Sequence, residues 1–134
     1  MKAGLISLGA RRTRGAGRLV PVESCKEIPF RVERVYWVVE AHPAELRGGH
    51  AHRHGSELLV CLQGQCQVAL EWADGTGEYL LDRPDLGLLV PALHWLDYRL
   101  SAGAVLLALA DRAFDPADTV RDHARFLDLA FRGR

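Results

Sequence analysis

No run of apolar residues in this chain approaches the length that crosses a bilayer, and the patch at residues 5–8 is too short for the core of a secretory leader. A membrane-spanning helix is excluded, and a cytoplasmic location is expected by default. Cysteine is scarce. Cys25, Cys61 and Cys66 are odd in number and lack C-x-x-C spacing, which excludes a disulfide framework and a zinc knuckle. Cys61 and Cys66 lie in apolar, strand-like runs and are expected as buried thiols. Excess charge of one sign is also missing. Seventeen Lys and Arg balance 17 Asp and Glu, so neither nucleic acid nor a membrane surface is expected as the main partner. The one basic cluster, Arg11, Arg12, Arg14 and Arg18, reads as a solvated N-terminal segment; the sharper alternative is a phosphate clamp. Repeats, low-complexity tracts and linkers are absent, so residues 1–134 are expected to form a single domain.

What is present fits a packed β protein. The hydrophobic share is 49% and the charged share 25%, an ordinary balance for a chain that builds its own core. Short segments punctuated by Gly, Pro and Asp predict an all-β barrel or sandwich. Strands are expected at residues 19–22, 30–40, 57–62, 65–72, 78–81, 86–90, 94–100 and 104–110, with Asp74-Gly75 as a hairpin turn. The strand at 30–40 is apolar on both faces: Val35, Trp37 and Val39 on one, Val32, Tyr36 and Val38 on the other. Arg34 shares the Tyr36 face. The tail differs. Asp115 as N-cap, Pro116 at the first position and Asp118 against the dipole predict one short C-terminal helix, with Val120, Ala124, Phe126 and Leu127 as its apolar stripe.

The chemistry concentrates in RGGHAHRHGSELLVCLQG, Arg47 to Gly64. Alternate residues of a strand face the same way, so His50 and His52 project side by side. Two imidazoles aimed into one cavity can exchange protons or bind a metal. Gly48 and Gly49 beside them leave room for a ligand. His54 reads as a solvated loop residue, and His42 and His123 as surface. Glu57 can ligate a metal, orient a histidine or merely end a strand. His94 follows Pro91 by three residues. If it faces inward, His50, His52, Glu57 and His94 make a three-His, one-Glu set suited to iron, zinc, manganese or nickel.

The spacing H-x-H, four residues, Glu, six residues, Gly matches the first motif of the cupin barrels, and Pro91 followed by His94 resembles the second. Over residues 19–127 the chain is similar to a family within the cupins, the nucleotide-linked sugar 3,4-ketoisomerases of the FdtA and QdtA type. IPFRVERVYW resembles that family's strand ending in RVYY, and RGGHAHR its RGxHAHK signature. LVCLQGQCQV resembles LVCLxGxxxV, LLDRPDLGLLVP resembles LDxPxxGLxVP, and FDPADTVRDHARFL resembles YDExDYIRDYxxFL. The resemblance implies a small jelly-roll cupin. It also implies conversion of a dTDP-4-keto-6-deoxyhexose to its 3-keto isomer without a metal cofactor, and a homodimer with exchanged N-terminal strands. His50 and His52 then correspond to the acid–base pair, and Tyr36, Arg34 and Arg47 to pocket residues.

Three departures bear on that reading. Arg14-Gly15-Ala16-Gly17 stands where the family has Asp-x-Arg-Gly, so Arg14 or Arg18 would have to replace a substrate-contacting arginine. Glu57 stands where the family has glutamine. His94-Trp95 reverses the family's Trp-His. In a metal-free isomerase, Glu57 would raise the pKa of the histidines beside it and favour imidazolium. In a metal-dependent cupin enzyme, such as a dioxygenase or another sugar isomerase, it would be a ligand and the histidines neutral. A non-catalytic sugar-binding cupin is the remaining alternative.

Overall fold

The computed structural model describes residues 1–132 and consists of two facing five-stranded antiparallel sheets. In chain order the strands are β1 (Gly4–Ser7), β2 (Arg11–Arg12), β3 (Arg18–Leu19), β4 (Arg34–Val38), β5 (Arg47–His52), β6 (Glu57–Gln63), β7 (Cys66–Trp72), β8 (Gly75–Leu81), β9 (Leu86–Val90), β10 (Trp95–Leu100), β11 (Val105–Ala110) and β12 (Thr119–Val120). The first sheet runs β1-β9-β6-β11-β4 and the second β12-β5-β10-β7-β8. This all-β arrangement of two sheets is the class the short alternating segments predict, and the jelly roll is what the resemblance implies. No helix among the described residues is long and apolar enough to cross a membrane.

Alternation along the strands builds the core between the sheets. Leu59, Cys61, Cys66, Val68, Leu70, Leu88, Leu96 and Leu106 all point into it. Burial pushes the Cys66 thiol up to about 12, which keeps it protonated and inert. The opposite side of the first sheet is covered by the N-terminal segment, where Ile28 and Phe30 pack on Leu58, Val60, Leu89 and Leu109.

Several elements differ from the sequence expectation. Residues 19–22 contribute only Leu19 to β3, which pairs with β2 as a separate exposed ribbon carrying three of the four clustered arginines. The strand expected at 30–40 is cut to Arg34–Val38, because residues 28–32 serve as packing rather than as a ladder. The hairpin turn falls on Ala73-Asp74, since Trp72 pairs with Gly75. The tail divides in two. Asp115 does cap a helix, but a 3-10 turn at Pro116–Asp118. Val120 then belongs to β12, pairing with Ala51, and the α-helix α1 (His123–Arg132) starts later, with Asp122 accepting hydrogen bonds from the Ala124 and Arg125 amides. Edge pairing to β5 won over helix continuation at 119–120, where both β-branched residues favour a strand.

Helix α1 matters to the site through one contact. Ala51 lies between His50 and His52 and faces the opposite way. It packs with Val120, Phe126 and Ala130, which clamps the back of β5. Phe126 is fully buried there against Trp95, at 5.5 Å between ring centroids.

Candidate active site

His50, His52, Tyr36, Arg34, Arg47 and Glu57 all line one open cavity of about 270 Å3 between β4, β5, β6 and β10. Every residue predicted for the pocket therefore reaches it, except His94. The rings of His50 and His52 meet edge to face with centroids 5.2 Å apart. Gly48 and Gly49 do more than leave room. Both adopt left-handed backbone, φ +87 and +66, and the ladder to β10 shifts register between Leu96 and Asp97. A Cβ at Gly48 would lie 2.5 Å from the Leu96 carbonyl oxygen. The glycines thus bend β5 so that the histidines face the cavity.

Glu57 is the hub. Only 2% of it is exposed, at the inner start of β6. Its Oε1 lies 2.9 Å from His52 Nε2, and its Oε2 accepts a 2.8 Å hydrogen bond from the Tyr36 hydroxyl. Burial opposes its charge, but the His52 and Tyr36 hydrogen bonds outweigh it and hold the carboxyl below its ordinary value. Burial likewise pulls His52 down. The hydrogen bond and charge of Glu57, with the charge of Asp118, override this and raise it. Tyr36 is raised by burial and by Glu57, so it stays a neutral phenol.

His50 goes the other way. Burial lowers it first, and the neighbouring His52 and Arg121 add to this; the Gly48 backbone and Glu57 only partly offset it. Its Nδ1 is buried without a partner in hydrogen-bond geometry. Glu57 thus raises both histidines, as expected, but His50 lies out of the carboxylate's hydrogen-bond reach, and there burial wins and the net shift is downward.

Cations rim the cavity. Arg34 stacks over the Tyr36 ring at 4.6 Å and the Phe114 ring at 5.0 Å. Arg47 donates from Nε to the Tyr98 hydroxyl at 3.3 Å. Arg121 lines the cavity as well, while Arg11, Arg12, Arg14 and Arg18 do not. The basic N-terminal cluster is therefore not part of this pocket, and Arg18 instead pairs with Asp85.

His94 lies elsewhere. It precedes β10 and stacks on Trp72 at 5.3 Å, with its Nδ1 2.9 Å from the Ala92 carbonyl. It lines a separate pocket with Ala3 and Tyr79. The four-residue metal set of His50, His52, Glu57 and His94 is consequently not assembled. Among the described residues no group of three or more His, Cys, Asp or Glu is placed to hold a metal ion. His54 and His42 are exposed, as expected. His123 is half-exposed but not idle: it stands 3.0 Å from Glu71 and packs on Trp95.

The sequence reading missed Tyr98, Phe114, Arg121 and Asp118. Asp118 was expected at a helix start; it sits beside His52 because the 3-10 turn and β12 fold back along β5. The FDPADTVRD block was the available signal for Phe114, Asp118 and Arg121.

The model of the family described as FdtA, WxcM-like, C-terminal, matches residues 1–130. The chain belongs to the FdtA family. A curated relative of this FdtA-family chain, the TDP-4-oxo-6-deoxy-alpha-D-glucose-3,4-oxoisomerase of Aneurinibacillus thermoaerophilus, is 37% identical over 111 residues, covering 82% of this chain and 80% of that protein. Among solved structures, QdtA, a sugar 3,4-ketoisomerase from Thermoanaerobacterium thermosaccharolyticum in complex with TDP, superposes with a TM-score of 0.92 at 30% identity, over 98% of this chain and 96% of that one. The WlaRB TDP-quinovose 3,4-ketoisomerase of Campylobacter jejuni gives 0.89 at 33% identity, over 94% and 97%.

Proposed function

We propose that this chain is a TDP-sugar 3,4-ketoisomerase that converts a TDP-4-keto-6-deoxyhexose to its 3-keto isomer. The observation that carries the reading is the His50–His52 pair, two half-buried imidazoles 5.2 Å apart and pushed in opposite directions within one cavity. Membership of the FdtA family and the activities of the named relatives support it.

The isomerisation moves one hydrogen from C3 to C4 and one proton from the C3 hydroxyl to the C4 oxygen. An acid and a base are both needed at neutral pH. His50, kept neutral by burial, is the base that takes the C3 proton. His52, kept protonated by Glu57, is the acid that delivers a proton to C4, while the C3 hydroxyl proton passes to the C4 oxygen; His50 then gives up its proton and His52 regains one by exchange with solvent. The enediolate between these steps is negative, and the imidazolium of His52 with the Arg34 guanidinium stabilises it. Tyr36 holds Glu57 in place. The cavity takes the hexose, and Arg47 and Arg121 at its rim suit the pyrophosphate. No step calls on a metal, and Glu57 acts through charge on His52.

The functional unit in this reading is a homodimer built through the N-terminal half. Val35, Trp37 and Val39 leave the outer face of β4 exposed, Trp37 at 63%. An apolar patch on an edge strand suits a second copy. The β1–β9 pairing seen within the chain can be made between subunits when N-terminal strands are exchanged.

The test is incubation with TDP-4-keto-6-deoxyglucose, with a 3-aminotransferase trapping the 3-keto product. Turnover is expected, reduced by roughly 10²-fold or more in His50→Asn and His52→Asn. Near-normal turnover in both variants would remove the assignment.

A further inference from the structure

His52 stands between two carboxylates, one at each ring nitrogen. Nε2 meets Glu57 at 2.9 Å, on the side of the cavity that the hexose would enter. Nδ1 lies 3.7 Å from Asp118 Oδ2, on the far side. Asp118 does not line the large cavity. With Gly55, Ser56 and Asp111 it lines an adjoining small cavity of about 20 Å3, to which His52, Glu57 and Arg34 also contribute. The two carboxylates thus face different ring nitrogens: Glu57 is hydrogen-bonded at Nε2, and Asp118, which is absent from the lining of the large cavity, stands near Nδ1.

Asp118 is held rigidly for this position. Its Oδ1 accepts the His54 amide at 2.8 Å, and its Oδ2 accepts the Gly55 amide at 3.0 Å. Its carbonyl accepts the Arg53 amide at 2.7 Å. Next to it, Thr119 pairs with His52. Two backbone donors, one on each carboxylate oxygen, keep the group aimed. The His52 backbone is fixed as well, by the Leu93 amide at 2.8 Å. Only the ring is left to adjust, and the small cavity gives it space. A shift of under one ångström closes the 3.7 Å separation to hydrogen-bond length, the tightening expected when a free enzyme takes up substrate.

We propose that Asp118 is the positioning residue of the ketoisomerase reaction: it holds the Nδ1 proton of His52 when substrate displaces Glu57 from Nε2. The inference rests on the ketoisomerase reading above. Glu57 is then a resting partner, and Asp118 the partner during turnover. Without Asp118, a His52 that turns from Glu57 to the sugar would have no carboxylate to hold its charge, and would lose its proton before delivering it.

The charged groups around His52 are Glu57 from β6, Arg34 from β4, His50 from β5 and Asp118 from the 3-10 turn. Only Glu57 and Asp118 favour the imidazolium.

The experiment combines kinetics with 15N NMR of the histidine rings, in wild type, Asp118→Asn and His54→Ala. Asp118→Asn is expected to lower kcat at least about tenfold with KM within about twofold, and to move the His52 titration to lower pH. His54→Ala removes only the exposed ring that also touches Asp118 Oδ1 at 3.1 Å, and is expected to leave both readouts unchanged. A kcat within about twofold of wild type, or an unmoved His52 titration, overturns the proposal. Should Asp118→Asn fail to fold, the wild-type spectrum decides: a protonated Nδ1 on His52 at neutral pH supports the proposal, and a bare Nδ1 overturns it. Absence of turnover in wild type sinks the ketoisomerase reading instead, and the NMR titration then reads the Asp118–His52 coupling on its own.

Discussion

His50 and His52 share a strand face, yet only His52 has a carboxylate within hydrogen-bond distance, and this difference sets their acid–base characters. The consequence is a pH profile with known signs. In the proposed ketoisomerase reading, activity needs His50 neutral and His52 charged. As pH falls, His50 protonates with a midpoint below the ordinary imidazole value of about 6.5; as pH rises, His52 deprotonates with a midpoint above it. A plateau between two limbs is the expected form of kcat/KM against pH. Glu57→Gln should keep the fold and some turnover while moving the alkaline limb to lower pH, since the main group that raises His52 is gone. An alkaline limb that stays put in this variant would refute the assignment. The same pair contributes stability. The His52 share is complete below about pH 6.5 and is lost as pH rises through its raised folded value; the Glu57 share is complete above the ordinary carboxylate value and is lost as pH falls through its lowered one. His94 provides the contrast. Because it stacks on Trp72 in a different pocket, His94→Gln is expected to leave turnover unchanged. A large loss there would favour a metal-dependent site over the acid–base reading.

Strand β5 is the element on which the site depends, and three forces place it. The left-handed Gly48-Gly49 pair bends it against the bulge in β10. Ladder bonds to β10 and β12 hold both its edges. Phe126 of α1 packs behind Ala51. Gly48→Ala attacks the first of these. A Cβ there meets backbone 2.5 Å away, at a φ that side chains rarely adopt. The expected cost is about 1–3 kcal/mol, visible as a lower melting temperature together with loss of turnover, because His50 is carried along. A wild-type melting curve would show that the bend is not set by Gly48. Sequence alone placed β5 as the histidine strand, but read its glycines as open space; the steric demand at Gly48 comes from Leu96, a residue 48 positions away that no local pattern connects to it.

At the scale of the whole molecule, the outer face of β4 is an exposed apolar patch. Val35, Trp37 and Val39 alternate with Arg34, Tyr36 and Val38, so one strand offers the cavity on one side and an apolar patch on the other. A dimer that covers this patch would also brace Tyr36 and Arg34 from behind. Light scattering at micromolar concentration should give the mass of two chains, and Trp37→Glu should shift it toward one. A wild-type monomer would remove the dimer from the proposal.

The sequence by itself determined the strand class, the shared face of His50 and His52, and the FdtA-type resemblance, and it left the place of Glu57 open. Strand alternation is a period of two residues and is legible in any stretch that keeps it. What only the tertiary structure decided is which of those residues meet what else. Asp118 and Arg121 come to the site through β12, whose two residues were legible only as part of a helix. His94 leaves it because Trp72 and the Ala92 carbonyl hold its ring in another pocket. The opposite characters of His50 and His52 could not be read either. Acid–base balance depends on burial and on a carboxylate within about 3 Å, and both are properties of packing between strands rather than of spacing along one.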